Sequence, residues 1–353
     1  MKISLAHGSG GKLTHNLIKE LFLTNFLNPL LKPLTDSAII NLIPQTLVSD
    51  YQMTDKVCGN QETVGTKGTK IAFTTDSYTV TPIFFPGGDI GKLAVCGTVN
   101  DLSVMGAKPL YLSCSYVIEE GLDYETLVKI TKSVSETAKN SGVQIATGDT
   151  KVVEKGKGDK IFINTSGIGI CEYEFKEIQI GDKILLNGGI GEHEIAILTA
   201  RESLGLETEI KSDCASLWNL ISQVLKSSRE VKFMRDPTRG GIATVLNEVT
   251  ENKDFGILLY EEKIPVKEEV KGVCALLGFD PLYLANEGKV IIVVASEDAD
   301  KLVNVLRGHS LGKDAQVIGE VVKTPAGKVY LKTKVGGTRI VDMLIGEQLP
   351  RIC

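Results

Sequence analysis

Residues 74–113 read TTDSYTVTPIFFPGGDIGKLAVCGTVNDLSVMGAKPLYLS. With the residues just before it, KIAFTTDS predicts a strand running into a turn. Two glycines then open a predicted helix from about Asp89 to Met105, and Gly106 ends it. PLYLSCSYVIE returns as a strand. Strand, helix and strand in one short stretch imply a mixed fold in which helices cover a sheet.

The pattern continues outward. Residues 123–141 predict an amphipathic helix ended by Gly142, and VQIATGDTKVV and KIFINTSGIGIC are further strands. Near residue 175 the character resets. IGDKILLNGGIGEHEIAILTARE predicts a strand, a glycine turn and a helix, and helices are predicted at 213–228, 240–251 and 297–308. FGILLY, GKVIIVVA and AQVIGEVV are strands. Upstream, residues 12–27 predict a helix after a glycine-rich lead, and residues 45–69 form a polar, Gly/Thr-rich excursion. The expected division is a lead and helix over 1–45, a first domain over 46–175, a second over 176–345, and a mobile tail over 346–353.

The bulk numbers agree with two soluble domains. The chain has 353 residues, 42% hydrophobic and 24% charged, with a formal net charge of -5. No Lys/Arg stripe suits a nucleic-acid backbone, and no stretch has the length of a membrane span. A cytoplasmic location is expected, with no nucleic acid and no membrane as partner. The seven cysteines are scattered without a CxxC pair, which argues against a disulfide scaffold or a structural zinc site. Cys96, Cys114 and Cys171 sit among apolar neighbours, as small buried hydrophobes do. Cys353 stands apart, because a thiol on the last residue is expected to lie exposed, where it is a chemical hazard.

Three aspartates are read as lying just past or beside strands: Asp76 in TTDS, Asp101 in VNDLS and Asp149 in ATGDTK. Turn and cap roles suit each alone. Together they suit magnesium, which takes a few carboxylates plus substrate phosphates, provided the fold gathers them. HGSGGK at 7–12 precedes a helix and offers backbone N–H groups to an anion, without Walker A spacing. In FMRDPTRGGIATVLNEV, Asp236 and Arg239 bracket a turn and Gly240–Gly241 open a helix, so a helix N-terminus and a cation point at an anion. NGGIGEHEIA reads equally as tight strand-to-helix packing. His7, His15, His193 and His309 form no sequence cluster and are given no metal.

TTDS…YLS, TGDTKVVEKG, RDPTRGGIATVLNE, ANEGK and the final PRIC, in this order, resemble the HypE family of hydrogenase maturation factors. The resemblance spans essentially the whole chain except the segment around 52–69. It places the chain in the wider PurM-like ATP-dependent group. The implied fold, α+β or α/β, has a ferredoxin-like N-terminal domain that pairs across a homodimer into a barrel, an α/β C-terminal domain and a flexible tail. The implied activity begins with a carbamoyltransferase, HypF, loading the terminal cysteine with a carbamoyl group. ATP-dependent dehydration then gives a thiocyanate, and the cyano group passes to iron held by a HypC–HypD complex.

Chemistry supports that assignment of Cys353, since a thiolate is a nucleophile and later a leaving group. The eight residues from Gly346 reach at most about 26–29 Å when extended. By resemblance, Asp76, Asp101 and Asp149 hold Mg-ATP, with Asn100 as a neighbour and Asp36 as a further ligand. Lys151, on the same strand face as Asp149, reaches phosphate or the carbamoyl oxygen. Glu287 is the expected base for the carbamoyl nitrogen. Asp236, Arg239 and Gly240 serve the phosphate end, and Gly10, Gly11 and Lys12 fold over the nucleotide. The alternatives are another PurM-like small-molecule synthetase or kinase, a non-enzymatic carrier of a carbamoylated thiol, and a nucleotide-sensing regulator.

Overall fold

The computed structural model describes residues 11–22, 35, 37–41, 69–201, 208–344, 346, 349 and 351–353. Gly10, Asp36 and the polar excursion as far as residue 68 lie outside the described residues.

Helix α1 (Lys12–Leu17) runs on into a π-turn over Ile18–Phe22. Strands β1 (Ala38–Asn41) and β2 (Lys70–Tyr78) follow, then a small ribbon of β3 (Phe84–Phe85) and β4 (Gly88–Asp89). Helix α2 (Ile90–Val104) leads to β5 (Ala107–Glu119), and α3 (Tyr124–Ser141) leads to β6 (Gln144–Val153) and β7 (Ile161–Cys171). Asp89 caps α2 by accepting from the N–H groups of Gly91 and Lys92 at 2.8 and 3.2 Å. The same carboxylate accepts from Ser133 Oγ at 2.6 Å and so ties α2 to α3. Gly106 and Gly142 end the two helices with positive φ, where a side chain would be strained.

These strands form one sheet in the order β1-β2-β7-β5-β6. β5 and β6 are parallel and joined by α3, while β7 runs antiparallel to both β2 and β5. Side chains alternate across the sheet. On β7, Ile161, Ile163 and Thr165 face the helices and are buried. The opposite face is open. Phe73, Ile168 and Tyr111 are register neighbours across β2, β7 and β5, each 40–48% exposed. All of β6 except its last residue is exposed.

The second sheet uses β8 (Lys183–Leu186), β9 (Val231–Arg235), β10 (Gly256–Tyr260), β11 (Ile291–Val294), β12 (Gln316–Val322), β13 (Val329–Lys332) and β14 (Thr338–Val341). Their order is β14-β13-β10-β12-β8-β11-β9, antiparallel except for β10 with β13. Helices α4 (Glu192–Thr199), α5 (Trp218–Ser227), α6 (Gly241–Thr250), α7 (Glu268–Leu277) and α8 (Ser296–Arg307) complete it. Leu220, Val224, Leu302 and Leu306 of α5 and α8 cluster with Leu185 and Ile292 on one face. Ile242 and Leu246 of α6 cluster with Ile184 and Ile291 on the other. With cover on both faces, β11 needs the unbroken apolar run IIVV rather than an alternating one.

The helix expected from 213 starts at Trp218 instead. Residues just before it bridge the two sheets. The Asp213 carboxylate accepts from the N–H groups of Glu287 and Gly288, both at 3.1 Å. Asn100 of α2 accepts from Leu217 N–H at 2.8 Å and donates to the Ala215 carbonyl at 3.1 Å. A helix through 213–217 would lose these partners. Among the described residues no helix is long and apolar enough to cross a membrane.

Candidate active site

A cavity of about 430 Å³ opens where the two sheets meet beneath α1. β2 and α2 contribute Asp76 and Asp101, and the β9–α6 turn contributes Asp236 and Arg239. Glu287 and Cys353 complete it. Thr74 Oγ1 donates to the Asp101 carboxylate at 2.8 Å. The Arg239 guanidinium lies 3.8 Å from Asp76. Arg235 pairs with Glu248 beside it. Gly240 and Gly241, both at positive φ, give the turn its shape. A Cβ on Gly240 would sit 2.1 Å from Thr244 Oγ1, and one on Gly241 would sit 2.5 Å from the Leu282 carbonyl oxygen. Gly240 therefore aims Asp236 and Arg239 and is itself outside the cavity lining.

Glu287 is buried in the ANEGK turn. Behind it, Lys289 is 3.0 Å from Asp213 and 3.1 Å from Glu192, a buried cation between two carboxylates that fixes the turn. Burial first, then the nearby charges of Asp236, Asp213 and Asp76, pushes the Glu287 carboxyl well above the usual carboxylate range. Arg239 opposes that shift. The thiol of Cys353 is pushed up to about 12, by burial first and then by Glu287, Asp76 and Glu194, again against Arg239.

The expectation of an exposed terminal thiol is corrected here. Ile352 is buried and Cys353 packs against the cluster that contains Tyr78, Cys96 and Cys214. Cys96 and Cys114 are buried as the sequence suggested, while Cys171 is only part-buried.

Two further expectations fail within one subunit. Asp149 does not join Asp76 and Asp101, and Lys151 does not reach the cavity. Asp76 is in register with Thr165 on the helix-covered face, whereas Asp149 is in register with Ser115 on the open face. Strands β7 and β5 lie between them. Asp149 and Lys151 are exposed and lie 3.4 Å from each other. Asn100 is also no cavity residue: its amide is engaged by the bridging segment and it is fully buried.

Among the described residues no three His, Cys, Asp or Glu side chains are grouped as a metal would need. The donor chemistry still suits magnesium in a subset. Asp76 and Asp101 are hard oxygen donors lining one cavity, and this ion completes its shell with phosphate oxygens and water.

Gly11 and Lys12 start α1, which overlies the cavity through Thr14, His15 and Ile18. The Lys12 N–H donates to the Leu344 carbonyl at 3.0 Å, and a Cβ on Gly11 would meet that oxygen at 2.5 Å. His15 and Lys19 reach Glu251 beyond α6 at 3.2 and 2.8 Å. The sequence reading also missed His193, Glu194 and Arg201. They lie on and after α4, whose glycine turn was read equally as packing. That part holds, since a Cβ on Gly191 would meet Leu284 at 2.7 Å.

Comparison with known proteins identifies the family. The AIR synthase related protein N-terminal domain model matches residues 59–171 and the C-terminal domain model matches 179–332. The carbamoyl dehydratase HypE of Cupriavidus necator is 45% identical over 356 residues, covering 100% of this chain and 95% of that protein. A crystal structure of a HypE–HypF complex superposes with a TM-score of 0.81 at 46% identity, covering 93% of this chain and 99% of that one. A HypE structure in complex with ATP superposes with a TM-score of 0.76 at 42% identity over 100% of both chains. This chain belongs to the HypE family of carbamoyl dehydratases, built on the PurM-like pair of AIR synthase related domains.

Proposed function

We propose that this protein dehydrates a carbamoyl group carried on Cys353 to a thiocyanate, using ATP, to supply the cyanide ligand for hydrogenase iron. The observation that carries the reading is the seating of the Cys353 thiol in one cavity with Arg239, Glu287 and Asp76. ATP phosphorylates the carbamoyl oxygen, which then leaves as phosphate while two protons leave nitrogen. Glu287 takes the first of these in its ionised form, which Arg239 favours and which burial among carboxylates makes a strong base. Arg239 offsets charge on the transferring phosphoryl group. Asp76 and Asp101 would hold magnesium, which supplies further charge neutralisation to the phosphates.

The raised thiol supports a tail that moves. At neutral pH the seated thiol keeps its proton and is a poor nucleophile. Outside the cavity it regains ordinary acidity, and there HypF loads it. The HypC–HypD complex then takes the cyano group from the extended tail.

A homodimer is part of this reading. The open apolar row Phe73–Ile168–Tyr111 and the exposed strand β6 suit a second copy of the sheet. Asp149 and Lys151 lie on that same face, so they serve the site of the partner subunit.

Intact mass spectrometry tests the reaction, with HypF, carbamoyl phosphate and ATP, with or without magnesium, and a Cys353→Ala control. Carbamoyl mass on Cys353 followed by loss of water only with Mg-ATP supports it. Carbamoylation without dehydration favours a carrier. ATP hydrolysis with an unmodified Cys353 favours a small-molecule enzyme.

A further inference from the structure

Residues 351–353 are held by their backbone. Thr79 donates from N–H and from Oγ1 to the Cys353 carbonyl oxygen, both at 3.2 Å, and Thr81 N–H donates to the Arg351 carbonyl at 3.2 Å. The tail thus runs antiparallel beside 79–81. Two side chains, on and just after α4, complete the hold. Arg201 donates from Nε to the Thr81 carbonyl and from its terminal nitrogen to the Arg351 carbonyl, both at 2.8 Å. His193 Nε2 lies 3.0 Å from the Ile352 carbonyl oxygen.

The surroundings of His193 set its tautomer. A carbonyl oxygen only accepts, so Nε2 carries the hydrogen. Ser212 Oγ accepts from Cys214 N–H at 3.0 Å, which leaves its own hydrogen for His193 Nδ1 at 2.8 Å. The ring is fully buried and meets Phe85 edge-on, with centroids 5.7 Å apart at 89°. Every hydrogen-bonding atom of a neutral imidazole is satisfied, and each has one direction.

We propose that His193, with its tautomer fixed by Ser212, is a positioning residue for the dehydration: it grips the Ile352 carbonyl and so holds the adjoining Cys353 side chain against Arg239 and Glu287. This rests on the reading that Cys353 carries the carbamoyl group. The grip is on backbone one residue behind the thiol, so it works for a free or a loaded thiol. A neutral hydrogen bond suits a reversible hold. Its loss shifts a docked–undocked equilibrium about five- to thirty-fold, without abolishing docking.

The test compares full-length wild type, His193→Phe and His193→Gln. Phenylalanine keeps the ring contact and loses both hydrogen bonds, while glutamine keeps a donor. Two quantities are followed by mass spectrometry: iodoacetamide alkylation of Cys353, and single-turnover dehydration after loading by HypF. Expected for His193→Phe are alkylation faster and dehydration slower, each by up to about five- to thirty-fold, with loading not slowed. His193→Gln should recover most of both. Unchanged Cys353 alkylation in His193→Phe overturns the proposal, as does unchanged dehydration. If buried Cys96 also becomes reactive, the fold has opened and Ser212→Ala decides: faster Cys353 alkylation with Cys96 protected supports the proposal, and an unchanged rate overturns it. If wild type is never loaded, the function itself fails, a separate result.

Discussion

The Arg239 guanidinium stands 3.8 Å from the Asp76 carboxylate, a contact between the turn before α6 and the C-terminal end of β2. It places a cation beside the seated thiol, and the Cys353 sulfur first, then Asp76 and Glu287, hold Arg239 firmly protonated. Replacing it with methionine removes that charge while keeping a long side chain. Single-turnover dehydration of the loaded protein should fall by about a hundred-fold or more, as when a preorganised donor is lost. Arg239→Lys should recover part of the rate, because the charge returns without the planar fork. A rate within about three-fold of wild type for the methionine variant would remove Arg239 from the mechanism.

Glu287 makes a sharper prediction. Glu287→Gln keeps the shape and the buried backbone contacts but cannot accept a proton. Dehydration should fall by about 10²–10⁴-fold, the usual range for a lost general base. Loading of Cys353 by HypF should be unaffected, since it takes place outside the cavity. Intact mass then shows carbamoylated protein accumulating with ATP present. Equal loss of loading and dehydration would mean that the variant merely damages the fold.

Asp149 and Lys151 show what the sequence could and could not reveal. Glycines, caps and alternation marked the strand–helix–strand unit, because α2 starts at a capping aspartate and ends at a glycine with positive φ. Asp76, Asp101, Asp236, Arg239 and Glu287 were legible from motif residues, and the cavity brings them together. Which face of the sheet Asp149 takes depends on β6 register, which pairing with β5 fixes. Asn100 looked like a nucleotide neighbour from its place before Asp101, yet a one-residue step on a helix turns a side chain to another face. His193 was hidden for a different reason: its partner Ile352 is 159 positions away. Strands β9, β13 and β14 and helix α7 were not predicted. β13 and β14 are only four residues long, too short for periodicity to declare.

If Lys151 serves the partner subunit, subunits can complement each other. Lys151→Ala and Glu287→Gln homodimers should each dehydrate poorly. Mixing them under exchanging conditions makes heterodimers with one intact site. Activity should recover to about a quarter of wild type, since statistical mixing makes half the dimers mixed and each has one working site of two. The mixed sample is followed by the same mass assay. No recovery, with exchange verified by differently tagged subunits, would show that Lys151 acts within its own chain or not at all.

Glu194 offers a test of stability rather than catalysis. It is buried, one oxygen accepts from Ala285 N–H at 2.6 Å, and the other has no hydrogen-bond partner among the described residues. Burial pushes its carboxyl from the ordinary 4.5 up to about 7, against the backbone hydrogen bond and Arg201. The folded protein therefore holds this proton more tightly than the unfolded chain does. Its contribution is fully present below about 4.5 and is lost as pH rises through about 7. That difference is worth roughly 3 kcal/mol at most. Glu194→Gln is neutral at every pH and escapes the loss. Melting temperatures of the two proteins should be close near pH 5 and should diverge by pH 8, with the glutamine variant the more stable. Parallel curves across that window would mean that Glu194 already carries its charge in the folded state, stabilised by Arg201 on the α4 side of the tail.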